Sequence, residues 1–313
     1  MCKNYLAILL LFLCATLSAQ DIEQYQQFNG RFDYTALGNT LNTIENTNAV
    51  DCTILTQSSA ALTLEPGQTV EAAILYWAGS GSGDFDVALN GTPVSAERTF
   101  DFFFTATSGL EFVYFAASAD VTDIVTNNGV GNYTLSGLDL QAVIPPYCSS
   151  NGGNSTNFGG WALYVIYEDT SLPLNQIILF DGLEGVSTGN TEINILLEDI
   201  NVLDNTGAKI GFLAWEGDQG IAVNETLSIN GNVLSNDPLN PANNQFNGTN
   251  SFTGSDQLFN MDLDFYNIEE NIQPGDTSAS IQVTSGQDLV LINNIITVLN
   301  VELPDATIEV DDI

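Results

Sequence analysis

Three short segments set two acids close together. Asp181-Gly182-Leu183-Glu184 and Glu216-Gly217-Asp218 each place a pair around glycine directly after a strand-forming run. Asp262-Leu263-Asp264 puts two on one side of a strand, because successive side chains point to opposite faces. Hard oxygen ligands clustered on loops suit Ca²⁺, which takes six to eight oxygens in flexible geometry. Asp181, Glu184, Glu216, Asp218, Asp262 and Asp264 are therefore the candidate calcium ligands, against the plainer reading of a solvated acidic surface. No EF-hand loop and no calcium-binding nonapeptide repeat supports them. Paired carboxylates about 5 or 6.5–9.5 Å apart would also serve glycoside hydrolysis. Trp77, Trp161 and Trp215 could stack on sugar rings, but they lie inside strand runs, where core packing is the commoner fate.

Composition removes most other chemistry. The chain has 313 residues, Lys+Arg 4, Asp+Glu 39 and no histidine, for a formal net charge of −35. Without histidine there is no Ser-His or Cys-His mechanism, no HExxH zinc site and no 2-His-1-carboxylate iron site. Four cations make no basic patch, so nucleic acid and anionic lipid are excluded as partners. The run Gly79 to Gly83 lacks the Lys of a phosphate loop and reads as a turn. No catalytic residue is assigned, and the expectation is a chain that is not an enzyme. A hydrophobic share of 44% is too high for an acidic disordered tail, so the chain folds.

Met1-Cys2-Lys3-Asn4, the apolar run Tyr5 to Leu17 and the small residue Ala19 form a secretory signal peptide cut after Ala19. Leu13 is bulky where a lipoprotein cut before Cys14 would need a small residue. The run is shorter than the roughly 20 residues of a membrane-spanning helix, and no later run reaches that length, so no membrane insertion is expected after cleavage. Processing leaves Arg31, Arg98 and Lys209 against all 39 acids. Of the four cysteines, Cys52 and Cys148 remain, and an oxidising compartment favours a disulfide between them. It would close a loop of roughly 95 residues, worth about 4–5 kcal/mol in the chain-entropy account. Two buried free thiols are the alternative.

Short runs rich in β-branched and aromatic residues, ended by Asn, Gly, Asp and Pro, recur along the chain. They cover 72–78, 87–89, 161–167, 176–180, 193–197, 210–215, 227–229, 278–284 and 289–303. Asn90-Gly91 and Asn230-Gly231 are hairpin signals. Helix is expected only from Ser118, as a cap, to Val125, ending at Asn127-Asn128-Gly129. This spacing predicts an all-β fold: an antiparallel, jelly-roll-like β-sandwich in one large or two packed lobes, with minimal helix. The breaker-rich loop from Ile144 to Gly160 marks the seam. The expected division is 1–19 signal peptide, 20–150 first lobe, 151–303 second lobe and 304–313 an acidic tail or the start of a following module. The irregular stretch 236–256 is the first place to expect a binding face.

Four segments together carry a resemblance: Ala73 to Gly81 (AILYWAGSG), Gly159 to Glu168 (GGWALYVIYE), Ile178 to Glu184 (ILFDGLE) and Lys209 to Asp218 (KIGFLAWEGD). The series is similar to the N-terminal β-rich region of large cell-surface proteins of Bacteroidota, exported by the type IX secretion system. The resemblance covers about residues 60–303. It implies a secreted, adhesin-like protein with an extracellular surface or glycan ligand, held at the cell surface by a module beyond this chain. It supplies no catalytic residues. The resulting expectation is a non-catalytic adhesion or surface-binding sandwich, with Ca²⁺ as its one candidate cofactor. The alternative is a carbohydrate-binding module or a carboxylate-pair glycoside hydrolase.

Overall fold

A computed structural model describes residues 20–46, 52–106 and 108–301; the expected signal peptide at 1–19 and the expected tail or module start at 304–313 lie outside them. Their first half carries β1 (Gln20–Gly30), β2 (Phe32–Thr40), β3 (Gln57–Leu62), β4 (Thr69–Ser80), β5 (Asp86–Leu89), β6 (Thr92–Ser95), β7 (Arg98–Thr105) and β8 (Glu111–Asp120). A short helix α1 (Thr122–Asn128) precedes β9 (Gly131–Ser136) and β10 (Gly159–Glu168). The second half adds β11 (Asn175–Val186), β12 (Glu192–Leu197), β13 (Asp204–Trp215), β14 (Thr226–Ile229) and β15 (Asn232–Val233). It ends with β16 (Met261–Asn267), β17 (Ala279–Thr284) and β18 (Val290–Asn300).

These strands form four antiparallel sheets, so the all-β sandwich is the observed fold. Two large sheets run β2-β10-β4-β8-β7 and β1-β11-β18-β13-β16; two smaller ones run β3-β9-β5-β6 and β12-β17-β14-β15. Alternation along each large sheet loads both faces. On β4, Leu75 and Trp77 enter the core shared with the small sheet of β3, while Ile74 and Tyr76 enter the core between the two large sheets. On β13, Leu213 and Trp215 face that same central core, and Phe212 and Ala214 face the sheet of β12. The result is four layers with three cores, the two large sheets back to back. Near-continuous apolar runs in β4, β10 and β18 follow from burial on both faces.

The chain crosses between the two pairs of layers at β10 and β11. β10, beyond the boundary expected at 150, lies between β2 and β4, and β1 pairs with β11 in the other large sheet. Both Asn-Gly pairs form the expected hairpins, with positive φ at Asn90, Gly91, Asn230 and Gly231. The helix has the expected length of about two turns but starts later than expected. Ser118 belongs to β8, paired with Tyr76 and Arg98, and the helix starts at Thr122 without a side-chain cap. Strand pairing on both sides of β8 outweighs the local capping preference. Cys52 and Cys148 are joined by a disulfide across a sequence separation of 96.

The three cations among the described residues, Arg31, Arg98 and Lys209, all sit where the large sheets meet. Arg98 on β7 makes a two-pronged contact with Asp181 on β11, Nη2 to Oδ1 at 2.8 Å and Nε to Oδ2 at 3.2 Å. Lys209 on β13 reaches Asp33 on β2 at 2.5 Å. Arg31, in the turn from β1 to β2, donates to the carbonyl of Leu172 in the β10–β11 connection.

Candidate binding site

The six acids named from sequence fall into three separate places. Asp181 and Glu184 flank a register shift of β11 against β18. Asp181 is the partner of Arg98, and Glu184 accepts the Ile22 N–H of β1 at 2.9 Å. Burial raises both pKa values, and the Arg98 guanidinium offsets part of the rise at Asp181. Asp262 and Asp264 lie on one side of β16, as the spacing required, opposite Ala214 and Phe212. They are buried and hold down the stretch 236–256. The N–H groups of Asn247, Gly248 and Thr249 all donate to Asp262 Oδ1 at 2.9–3.0 Å. Asp264 accepts from Asn240, Thr249 and Ser251. The irregular stretch is thus fastened to a strand.

Asp262→Ala should release it. Three buried amides would lose their acceptor, at about 1–3 kcal/mol each before the loop relaxes into water. Hydrogen exchange at 247–249 should accelerate strongly; unchanged protection there would refute the fastening role.

Glu216 and Asp218 are brought together, and two acids missed in the sequence join them. Both follow β13, where Gly217 is required: a Cβ there would stand 2.3 Å from the Phe246 carbonyl oxygen. Asp288, just before β18, accepts the Asp218 N–H through Oδ2 at 2.8 Å. Glu45, beyond β2, hydrogen-bonds the Asp218 carboxyl and accepts the Gln219 N–H at 3.3 Å. Asparagines complete the network. Asn46 Nδ2 donates to Glu216 Oε1 at 2.6 Å, and Asn260 Nδ2 donates to Asp218 Oδ1 at 2.8 Å. Asn46 Oδ1 is buried without a partner.

Burial, then mutual repulsion, shifts this cluster toward the neutral acids. Desolvation and the charges of Asp218 and Asp288 push Glu216 well above the carboxylate range. Desolvation, with Asp288 and Glu45 next, takes Asp218 to about 10. Desolvation takes Asp288 to about 7, and Glu45 is also raised by burial. Nearby Glu225, wholly buried with Oε1 on the Phe246 N–H, is raised in the same way.

The cluster opens on a cavity of about 370 Å³ at one end of the central core, lined by Glu216, Asp218 and Asp288. Loops of both large sheets build the rest of it. Asn154, Ser155 and Thr156 come from before β10, Ser187 and Thr188 from after β11, and Phe104 from the end of β7. Under it runs an aromatic ladder in which Trp215 stacks on Phe158 at 6.1 Å and Phe158 on Tyr114 at 6.0 Å. Tyr114 Oη meets Thr156 Oγ1 of the lining at 2.6 Å. Two lining residues, Glu216 (φ 80°) and Ser155 (φ 60°), hold left-handed backbone that costs about 1–3 kcal/mol each. Such strain collects at functional sites.

All three tryptophans are fully buried, with Nε1 bonded to Asp84 O, Ser58 Oγ and Asn293 Oδ1 respectively. No tryptophan platform faces solvent. Among the described residues no group of three or more acids or cysteines is gathered closely enough to hold a metal ion, and no helix is long and apolar enough to cross a membrane. Nothing in their local sequence marks Glu45, Asn46 or Asn260. Asp288, in the polar turn Ser285-Gly286-Gln287-Asp288 before an apolar run, repeats the acid-beside-a-strand pattern and was findable.

No protein-family model matches the chain, and no curated protein matches it. Among solved structures, the glycoside hydrolase BuGH86 in complex with neoagarooctaose aligns over 89% of this chain at 9% identity and a TM-score of 0.28. This chain spans about a third of that one, the aligned part being 34%. The major capsid protein P2 of bacteriophage PM2 aligns over 86% of this chain and 98% of its own, at 12% identity and a TM-score of 0.23. Likeness of this degree fixes neither fold nor function.

Proposed function

We propose that the chain is a non-catalytic, extracellular, adhesin-like binding protein that engages its partner through the cavity at the end of the central core. One observation carries this reading. Of the acids singled out by sequence, those at 181, 184, 262 and 264 are committed to holding strands and loops, whereas Glu216 and Asp218 open on a solvent-facing cavity with strained walls. The signal-peptide pattern and the disulfide support an exported protein.

Beads coated with residues 20–313 should adhere to polysaccharide-coated surfaces more strongly than beads carrying Thr188→Trp. Thr188 is exposed at the lip, so the indole can cover the cavity without disturbing the core. Equal adhesion of the two proteins removes the reading. A hydrolase is the second reading, favoured by Asp288 at about 7 beside Asp218 at about 10, an acid and base set apart by environment. Reducing ends released from a bound oligosaccharide, and lost in Asp288→Asn, would replace binding by catalysis.

A further inference from the structure

We infer that the cavity takes a neutral, hydroxyl-rich ligand, a mono- or disaccharide unit of a glycan, hydrogen-bonded to its carboxyl, amide and hydroxyl groups and packed on Phe104. This rests on the binding reading above and names its ligand class. About 370 Å³ lies at the small end of the 300–1,000 Å³ of ligand pockets, which suits one or two sugar rings. The lining has two chemical sides. Ser155, Thr156, Ser187, Asn154 and Gln287 offer hydroxyls and amides, while Phe104, Ile221 and Leu289 offer apolar surface to a C–H face.

Charge excludes the alternatives. No Lys or Arg lines the cavity and the chain is strongly anionic, so an anion has neither a partner nor a favourable field. The acids facing the site from every side are Glu45, Glu216, Asp218, Glu225 and Asp288, with the Tyr114 phenol beneath. Desolvation raises all five, so at mildly acid pH the cluster keeps protons that solvated carboxyls would give up. Most of their oxygens are engaged within the protein, so the neutral carboxyls on the wall supplement the hydroxyls and amides of the rim in meeting sugar hydroxyls. A cation would need the same groups ionised. Phe104 is the aromatic on the wall, half-buried and stacked on Phe112 at 6.3 Å, whereas Trp215, Phe158 and Tyr114 are sealed below.

The test is calorimetric titration of residues 20–313 with neutral sugars: glucose, galactose, mannose, xylose, N-acetylglucosamine, lactose and cellobiose. At least one should bind saturably at pH ~5, and binding should weaken toward pH ~8 as the acids ionise. Phe104→Ala should weaken it by about tenfold or more, and Thr188→Trp should abolish it. Because Phe104 also packs on Phe112, Ser187→Ala serves as a milder rim variant, with an expected loss of about threefold or more. Absence of binding by the whole panel, binding untouched by Thr188→Trp, or affinity that grows with pH would each overturn the inference. If cavity-dependent adhesion persists while every sugar fails, the ligand class falls and the binding function stands. If adhesion also fails, both fall.

Discussion

Arg98→Met should destabilise the folded chain by about 3 kcal/mol, with Asp181→Asn in the same background restoring most of the loss. The Asp181 side chain is 0% exposed and that of Arg98 37%. Removing the guanidinium leaves a buried carboxyl with its fixed desolvation and no counter-charge, the situation in which broken buried pairs cost about 3–5 kcal/mol. Water can reach the half-open Arg98 side, which places the expected loss at the lower end of that range. The reverse change should be milder, because in Asp181→Asn the arginine can turn outward while still lying over the Tyr25 ring, 4.6 Å from its centroid. The penalty should also shrink at low pH, where protonation neutralises the stranded acid, already raised by burial in the intact protein. Urea unfolding of the four proteins of this cycle gives the energies directly. An Arg98→Met loss within about 0.5 kcal/mol of zero would show that the seam does not depend on the pair.

That dependence follows from the distribution of charge. With three cations among the described residues, each placement matters, and all three tie the back-to-back sheets or their connections. Asn294 on β18 adds a neutral tie across the same core, donating to Tyr76 Oη at 3.1 Å. In the pair Lys209–Asp33 the acid is 18% exposed, so breaking it strands a less buried charge than breaking Arg98–Asp181, and the pair is worth less.

The layers were legible where alternation is strong. On β12, Ile193, Ile195 and Leu197 are buried while Glu192, Asn194 and Leu196 are exposed, as the period of two requires. The tryptophans' burial followed from their places inside apolar runs. β1 was not legible, because Gln20-Asp21-Ile22-Glu23-Gln24 reads as a polar leader. It is a strand because the edge of β11 is there to pair with and Ile22 reaches the outer core. Ser118 misled for the same reason: a local cap signal lost to pairing with residues far away in the chain. The site divides likewise. The Glu216–Asp218 pair is a local pattern, but Glu45 and Asp288 reach it from distant segments of the sequence, and only the closed sandwich brings them together. Asp262 and Asp264 were correctly placed on one face, yet their employment by 240–251 depends on how that loop folds back.

The acidic cluster makes stability run against the usual direction with pH. Carboxyls of the unfolded chain titrate near 3.8 for Asp and 4.5 for Glu. Below that range both states are protonated and the cluster costs nothing. Above it the unfolded chain gives up protons that the folded chain keeps, so stability falls as pH rises, for Asp288 until about 7 and for Asp218 toward about 10. Each such group removes about 1.4 kcal/mol per pH unit, which for the two between pH ~5 and ~7 is at most roughly 5 kcal/mol. The melting temperature should therefore peak at mildly acid pH and drop several degrees by pH ~8. Repulsion among 39 acids acts in the same direction, so the cluster must be separated from it. Asp218→Asn does that: its amide keeps an oxygen for Asn260 and offers an N–H to Glu45, reproducing the neutral acid without a titrating proton. The variant should melt higher than the parent at pH ~8, match it at pH ~5, and lose about one proton from the slope. Salt, which screens only the general repulsion, should raise both proteins alike. At pH ~8, where the cluster begins to ionise, Ca²⁺ would restore the parent's melting temperature by mass action if these oxygens, with the unpartnered Asn46 Oδ1, close on a cation. An equal response in Asp218→Asn would assign any calcium effect to other acids, and a parent whose stability rises from pH ~5 to ~8 would show that the cluster is ionised and solvated.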